Sequence, residues 1–271
     1  MEQRIDFTPM NVLVLPLLFA GVVFAVLVWL NERYDLFSVD RFGSPEAKWG
    51  AYVWLGALLF LLTALVTRAS QHTPTAKEMA RIPFYSLFSM HAILVIFLVG
   101  WWLLTQRPPL RAYLNLPRAN TGEAILGGFA MGLTGWIVTL AFALLIGVIL
   151  NATGLAPKNM TPPPMIAWLS AQPIWKKALI VISAMTVEEA FFRGWLQKRV
   201  GLIASTVLFA LAHSGFGQPL LLIGVSVVSL VIGTTFYRTK NLLPGIVAHG
   251  VFDAIQLFVI IPIVFKTGLG A

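Results

Sequence analysis

The chain has 271 residues, 58% of them hydrophobic and 11% charged, where an ordinary soluble protein is about a quarter charged, and that composition cannot build an aqueous surface. Nineteen Lys and Arg against eleven Asp and Glu give a formal charge of +8, but Arg68, Arg107, Lys176, Lys177, Lys198, Arg199, Arg238 and Lys240 stand at the ends of apolar runs, as headgroup anchors do; the implied partners are membrane lipids, not nucleic acid, whose binders gather charge in a patch or stripe. The absence of cysteine excludes a disulfide framework and thiolate catalysis.

A spanning helix needs about 20 mostly apolar residues. The first run, Val12 to Leu30, follows Met1-Glu2-Gln3-Arg4-Ile5-Asp6; it exceeds a signal-peptide core, lacks a small-residue cleavage site, and reads as a retained span. Asn31 to Trp49, charged and carrying Gly43-Ser44-Pro45, connects it to Gly50 to Thr67. Gln71 to Pro83 then leads into Phe84 to Thr105. His91 is the only histidine or charged side chain in these three runs. A lone histidine in an apolar helix is usually a hydrogen-bonding packing residue, so it is left out of the site.

Arg107 to Gly122 separates this half from Ala124 to Leu150. The break from Asn151 to Pro173 contains Pro162-Pro163-Pro164, which cannot continue a helix, and Trp168; with Trp175 just beyond, it suits a membrane interface. Ile174 to Gln197, Leu220 to Tyr237 and Leu243 to Phe265 complete seven long runs. An eighth, Leu202 to His213, covers only about 18 Å at 1.5 Å per residue and is expected inside the bundle. The expected fold is all-α, a polytopic integral membrane bundle of about eight hydrophobic helices, one of them short. Residues 1–123 supply three scaffold spans and 124–271 the functional bundle. No internal repeat is visible, and the Lys and Arg totals of the loops are too even to orient the chain.

Every acidic residue after Glu123 lies inside an apolar run: Glu188, Glu189 and Asp253. A carboxylate at membrane depth costs at least about 2.5 kcal/mol and ordinarily serves function. Glu189 and Arg193 are four apart and share a helix face, while Glu188 points about 100° away. The pair can neutralise itself and leave Glu188 to act as a base. Phe209 stands one turn before His213, where Ser214-Gly215 ends the short helix. His249 and Asp253 are again four apart, and Gly245, Ala248 and Gly250 around them let a neighbouring helix approach closely.

Glu188-Glu189-x-x-x-Arg193, Phe209-x-x-x-His213 and His249-x-x-x-Asp253, in that order on hydrophobic helices, resemble the motifs of the CAAX-processing and bacteriocin-processing family, which includes the type II CAAX prenyl endopeptidases. The resemblance covers about half of the chain, from Ala124 to Pro262. It implies an intramembrane endopeptidase in which Glu188 and His213 activate water while His249 and Asp253 line the oxyanion side. Glu189, Arg193 and Phe209 would support that site. The prenyl endopeptidases carry Asn in the last motif position, and an ionised Asp253 cannot donate to an oxyanion, so Asp253 is either protonated or orients His249.

Glu188, His213 and His249 also form a plausible His₂Glu zinc set. The short His-Glu-x-x-His motif is missing, however, and spending Glu188 as a ligand would remove the base, which favours metal-independent chemistry. The implied substrate is a hydrophobic or lipidated protein segment at the membrane surface, and the implied location a bacterial inner membrane. Two alternatives have different chemistry: a proton-coupled transporter, and a catalytically silent immunity or scaffold member of the same family. Phe191, Phe192 and Trp195 are expected to pack between helices rather than line an entrance.

Overall fold

The computed structural model describes residues 9–72, 74–117, 119–155, 164–214 and 219–266. Met1 to Asp6, Pro162, Pro163 and Gly215, named above, lie outside the described residues. The architecture is all-helical, with no strand among the described residues beyond an isolated bridge between Phe42 and Thr105. In chain order the helices are α1 (Pro9–Tyr34), α2 (Pro45–Ser70), α3 (Ala76–Arg81), α4 (Ser89–Leu104, entered by a 3₁₀ turn at Phe84–Phe88), α5 (Leu110–Tyr113), α6 (Thr121–Ala152) and α7 (Pro164–Ser170). Then come α8 (Ile174–Ser183), which runs on through π-helical turns at Ala184–Glu188 and Ala190–Gln197, and α9 (Lys198–Ala212). α10 (Pro219–Thr239), α11 (Leu242–Ala254), a π-helical Ile255–Ile260 and α12 (Ile261–Lys266) complete the chain.

Six helical stretches among the described residues are long and apolar enough to cross a membrane: Leu13–Tyr34, Pro45–Ser70, Phe84–Leu104, Thr121–Ala152, Leu221–Thr239 and Leu242–Lys266. The chain is an integral membrane protein of polytopic helix-bundle type. The expected span from Ile174 to Gln197 is helical, but it carries Lys176, Lys177, Glu188, Glu189 and Arg193 and falls outside that group. α6 is apolar on every side and largely uncovered, with Leu126, Ile137, Leu144 and Val148 exposed, as a helix facing hydrocarbon is.

The short eighth element differs from expectation. Gly201 (φ 80°) breaks α9 near its start, a conformation that a Cβ would strain. Beyond it Ser205, Thr206, Phe209 and Ala210 face the core, while Ile203, Val207 and Leu211 are exposed. The segment therefore lies against the flank of the bundle instead of inside it.

Two packing units position the site. In the first, α4 and the π-helical turns run alongside one another. Phe97 meets Trp195 edge-on at 4.8 Å and Trp101 meets it at 5.0 Å, with Phe191 stacked at 5.4 Å from Trp195. Such pairs contribute about 0.5–1.5 kcal/mol each beyond area burial, and Phe191, Phe192 and Trp195 are packing residues as expected. The far end of this layer is closed by Arg199, which lies 4.5 Å above the Trp195 ring and donates through Nε to Asp40 at 2.8 Å; Trp101 Nε1 donates to the same carboxylate at 3.1 Å.

In the second unit, α6 lies directly on α11. A Cβ built on Gly128 would stand 2.7 Å from the Pro244 carbonyl oxygen, and one on Gly132 would stand 2.7 Å from that of Ala248. This Gly-x-x-x-Gly pair lets the backbones meet as small residues do between membrane helices. It is the partner surface to the small residues around His249.

Candidate active site

Glu188 and Glu189 end up on opposite errands because of the local backbone. Thr186 turns its hydroxyl back to the carbonyl of Ile182 at 2.6 Å, competing for an acceptor of the helical ladder, and such back-bonding distorts helices. Around it the bonding widens from i→i+4 to i→i+5, a rare form met most often at functional sites. An α-helical register was expected here; the π-helical one brings positions five apart, such as Ser183 and Glu188, onto a common side.

Glu189 is sealed. Its side chain is 0% exposed and that of Arg193 is 1%, with Arg193 Nη1 at 3.2 Å from Glu189 Oε1. Arg193 Nη2 donates to the Ser229 carbonyl at 3.2 Å and to its hydroxyl at 3.0 Å. His249 Nδ1 lies 2.9 Å from the same Oε1; a carboxylate can only accept, so the imidazole donates. Gly245 makes room for this carboxylate, since a Cβ there would stand 3.2 Å from Glu189 Oε2. On the other edge of the ring His249 Nε2 is 3.4 Å from Asp253 Oδ2, longer than an ordinary N–H···O bond. The imidazole thus stands between two carboxylates.

Of the two adjacent glutamates Glu188 is the accessible one, with 15% of its side chain exposed. Its Oε2 is buried and has no hydrogen-bond partner among the described residues. His213 Nε2 lies 3.9 Å from that atom. The His213 ring is held from behind, its Nδ1 donating to the Phe209 carbonyl at 2.8 Å and its face 4.6 Å from the Phe209 ring. Phe209 in turn lies under the Arg193 guanidinium at 4.6 Å and 6.1 Å from the His249 ring. One phenyl group therefore spaces both histidines and the structural ion pair, which gives the Phe-x-x-x-His spacing its physical sense.

All seven residues singled out from the sequence fall into these two adjoining clusters. Glu188 meets His213; Glu189, Arg193, His249 and Asp253 meet one another; and Phe209 joins the two sets. His91 corrects the sequence reading. It belongs to α4, in the half read as scaffold, yet its Nε2 lies 3.1 Å from Glu188 Oε1 and its Nδ1 2.6 Å from Ser183 Oγ. The signal in the sequence is a single ionisable group in three apolar spans, whose desolvation cost calls for a polar partner such as Glu188.

The zinc set of Glu188, His213 and His249 is not gathered in this arrangement. His249 turns one nitrogen to Glu189 and the other toward Asp253. Among the described residues no group of three or more His, Cys, Asp or Glu is disposed to hold a metal ion.

Comparison with known proteins agrees with the motif reading. The uncharacterized protein YpbD of Bacillus subtilis strain 168 is 36% identical over 69 residues, a match covering 25% of this chain and 36% of that protein. The chain thus matches about a third of the length of that curated relative. No solved structure matches. Residues 170–255 match the family model for type II CAAX prenyl endopeptidase Rce1-like proteins. That matched segment carries Glu188, Glu189, Arg193, Phe209, His213, His249 and Asp253, and over it the chain is similar to the Rce1-like type II CAAX prenyl endopeptidases.

Proposed function

We propose that this protein is an intramembrane endopeptidase that hydrolyses a peptide bond close to the membrane surface, with Glu188 as its general base. The observation that carries this reading is the unpartnered Glu188 Oε2, 3.9 Å from His213 Nε2. A gap of that size between polar atoms is one that a water molecule bridges. His213 donates through Nδ1 to the Phe209 carbonyl, and this reading uses the tautomer in which Nε2 is an acceptor. A water between them gives one proton to each acceptor and turns its lone pair outward.

Attack of that oxygen on the scissile carbonyl carbon passes a proton to Glu188 and forms a tetrahedral oxyanion. Collapse breaks the C–N bond, and the proton returns from Glu188 to the departing amine, leaving a carboxylate and an amine as products. His249 and Asp253 line the oxyanion side in this scheme. Glu189 accepts a hydrogen bond from His249 Nδ1–H, which leaves the Nε2 edge, on the side of Asp253, for the reaction. It donates to an oxyanion when the ring is protonated, with Glu189 and Asp253 as counter-charges.

The family assignment of residues 170–255 points to a prenylated or otherwise lipidated C-terminal segment as substrate. The six candidate spans and the bacterial source of the relative support a bacterial cell (inner) membrane as the location. The test is cleavage of a quenched-fluorescent farnesylated CAAX peptide by purified protein in proteoliposomes. Parent activity should fall by about 10²-fold or more in Glu188→Gln. A variant that cleaves as fast as the parent refutes the assignment.

A further inference from the structure

We propose that His91 and Ser183 form a positioning pair for Glu188, which fixes the carboxylate through Oε1 so that the unpartnered Oε2 is turned toward His213. This inference rests on the peptidase reading of Glu188. Its evidence is the contact geometry between α4 and the π-helical turn. His91 Nε2 lies 3.1 Å from Glu188 Oε1, and His91 Nδ1 lies 2.6 Å from Ser183 Oγ.

The donor roles follow from the chemistry of the groups. An ionised carboxylate only accepts, so Nε2 carries the proton shared with Glu188. Nδ1 of the neutral ring is then an acceptor, and Ser183 Oγ–H donates to it. The serine therefore selects the tautomer in which the imidazole can hold the carboxylate. With the opposite tautomer, a nitrogen lone pair would face a negative oxygen.

The backbone explains how one ring reaches both partners. Ser183 and Glu188 are five residues apart, a separation of about 140° on an α-helix, which would put them on different faces. The i→i+5 bonding over Ala184–Glu188 brings them nearly into line. The ring itself is held by Phe88, one turn earlier on its own strand of chain, at 6.3 Å. Fixing Oε1 leaves the carboxylate with one rotational setting, and Oε2 then points to His213 at 3.9 Å. Misplacing a reacting group by about 1 Å can cost about 10²-fold in rate.

The experiment measures kcat and KM for a quenched-fluorescent farnesylated CAAX peptide, alongside ¹⁵N spectra of histidine-labelled protein. His91→Leu should lower kcat about 10- to 100-fold with KM within about twofold, because orientation is lost while binding is kept. His91→Gln, which keeps an N–H near the position of Nε2, should recover most of that loss; recovery also shows that the site folds. Ser183→Ala should move the His91 signal away from the Nε2–H tautomer and lower kcat by about threefold or more, an estimate from one lost orienting hydrogen bond. If the parent cleaves and Glu188→Gln does not, while His91→Leu keeps parental kcat or Ser183→Ala keeps the tautomer, the positioning pair is overturned and the peptidase reading stands. If the parent cleaves no peptide, the peptidase reading falls and the pair's role falls with it.

Discussion

Gly132→Ala tests how closely the chemistry depends on the packing of α6 against α11. The added Cβ would stand 2.7 Å from the Ala248 carbonyl oxygen and 2.7 Å from Val251 Cβ, whereas ordinary contact begins at 3.4 Å. Relief requires α11 to retreat by about 0.7 Å, the difference between these distances, because the nearest atom is backbone and cannot rotate away. Overpacking of this kind costs about 1–3 kcal/mol. The displaced residue Ala248 adjoins His249, so the imidazole moves with it, and kcat should fall about tenfold or more. Gly147 lies on the same helix with nothing within 4 Å of its would-be Cβ, so Gly147→Ala is the control and should be neutral or stabilising by up to about 1 kcal/mol. Thermal unfolding in detergent and peptide cleavage read the two effects. Equal behaviour of the two alanine variants in both assays would refute the argument.

Arg193→Met should destabilise by about 3–5 kcal/mol, since it strands the fully buried Glu189 carboxylate; adding Glu189→Gln should restore part of the loss, and a melting temperature unchanged by Arg193→Met contradicts the pairing. Lys198, beyond the end of the π-helical segment, has its ammonium pushed down to about 8 by burial and by the neighbouring Arg199 guanidinium, from 10.5. Between those values the unfolded chain binds more protons than the folded one, so the ammonium's destabilising effect, complete below pH 8, is relieved as pH rises toward 10.5. The gain is about 3 kcal/mol at most, and the difference in melting temperature between parent and Lys198→Met should grow in the parent's favour from pH 8 to 10. A difference independent of pH would rule this out.

Much of the architecture was readable because hydrocarbon imposes a long apolar stretch on each span, and because charged groups inside such stretches are too costly to be incidental. Glu188, Glu189, Arg193, His213, His249 and Asp253 were found by that cost together with their spacing. Three features were hidden. Widening of the helix at Ala184–Glu188 depends on Thr186 bonding back to Ile182, which no apolar periodicity reports. His91 joins Glu188 from 97 positions away, a long-range contact that helical spacing cannot reveal. The Gly128 and Gly132 pair was visible only as small residues in an apolar run, since their partner helix begins at Leu242.

The layer of Phe97, Trp101, Phe191 and Trp195, each at most 4% exposed, lies between the Glu188 region and the Asp40–Arg199 clasp. Rings in edge contact pack tightly against one another, so they close the Glu188 region on that side. A carrier moves its cargo from one compartment to the other and would have to dismantle this stopper in every cycle. A hydrolase needs only one doorway, through which both the chain to be cut and the solvent that cuts it can enter and the fragments leave.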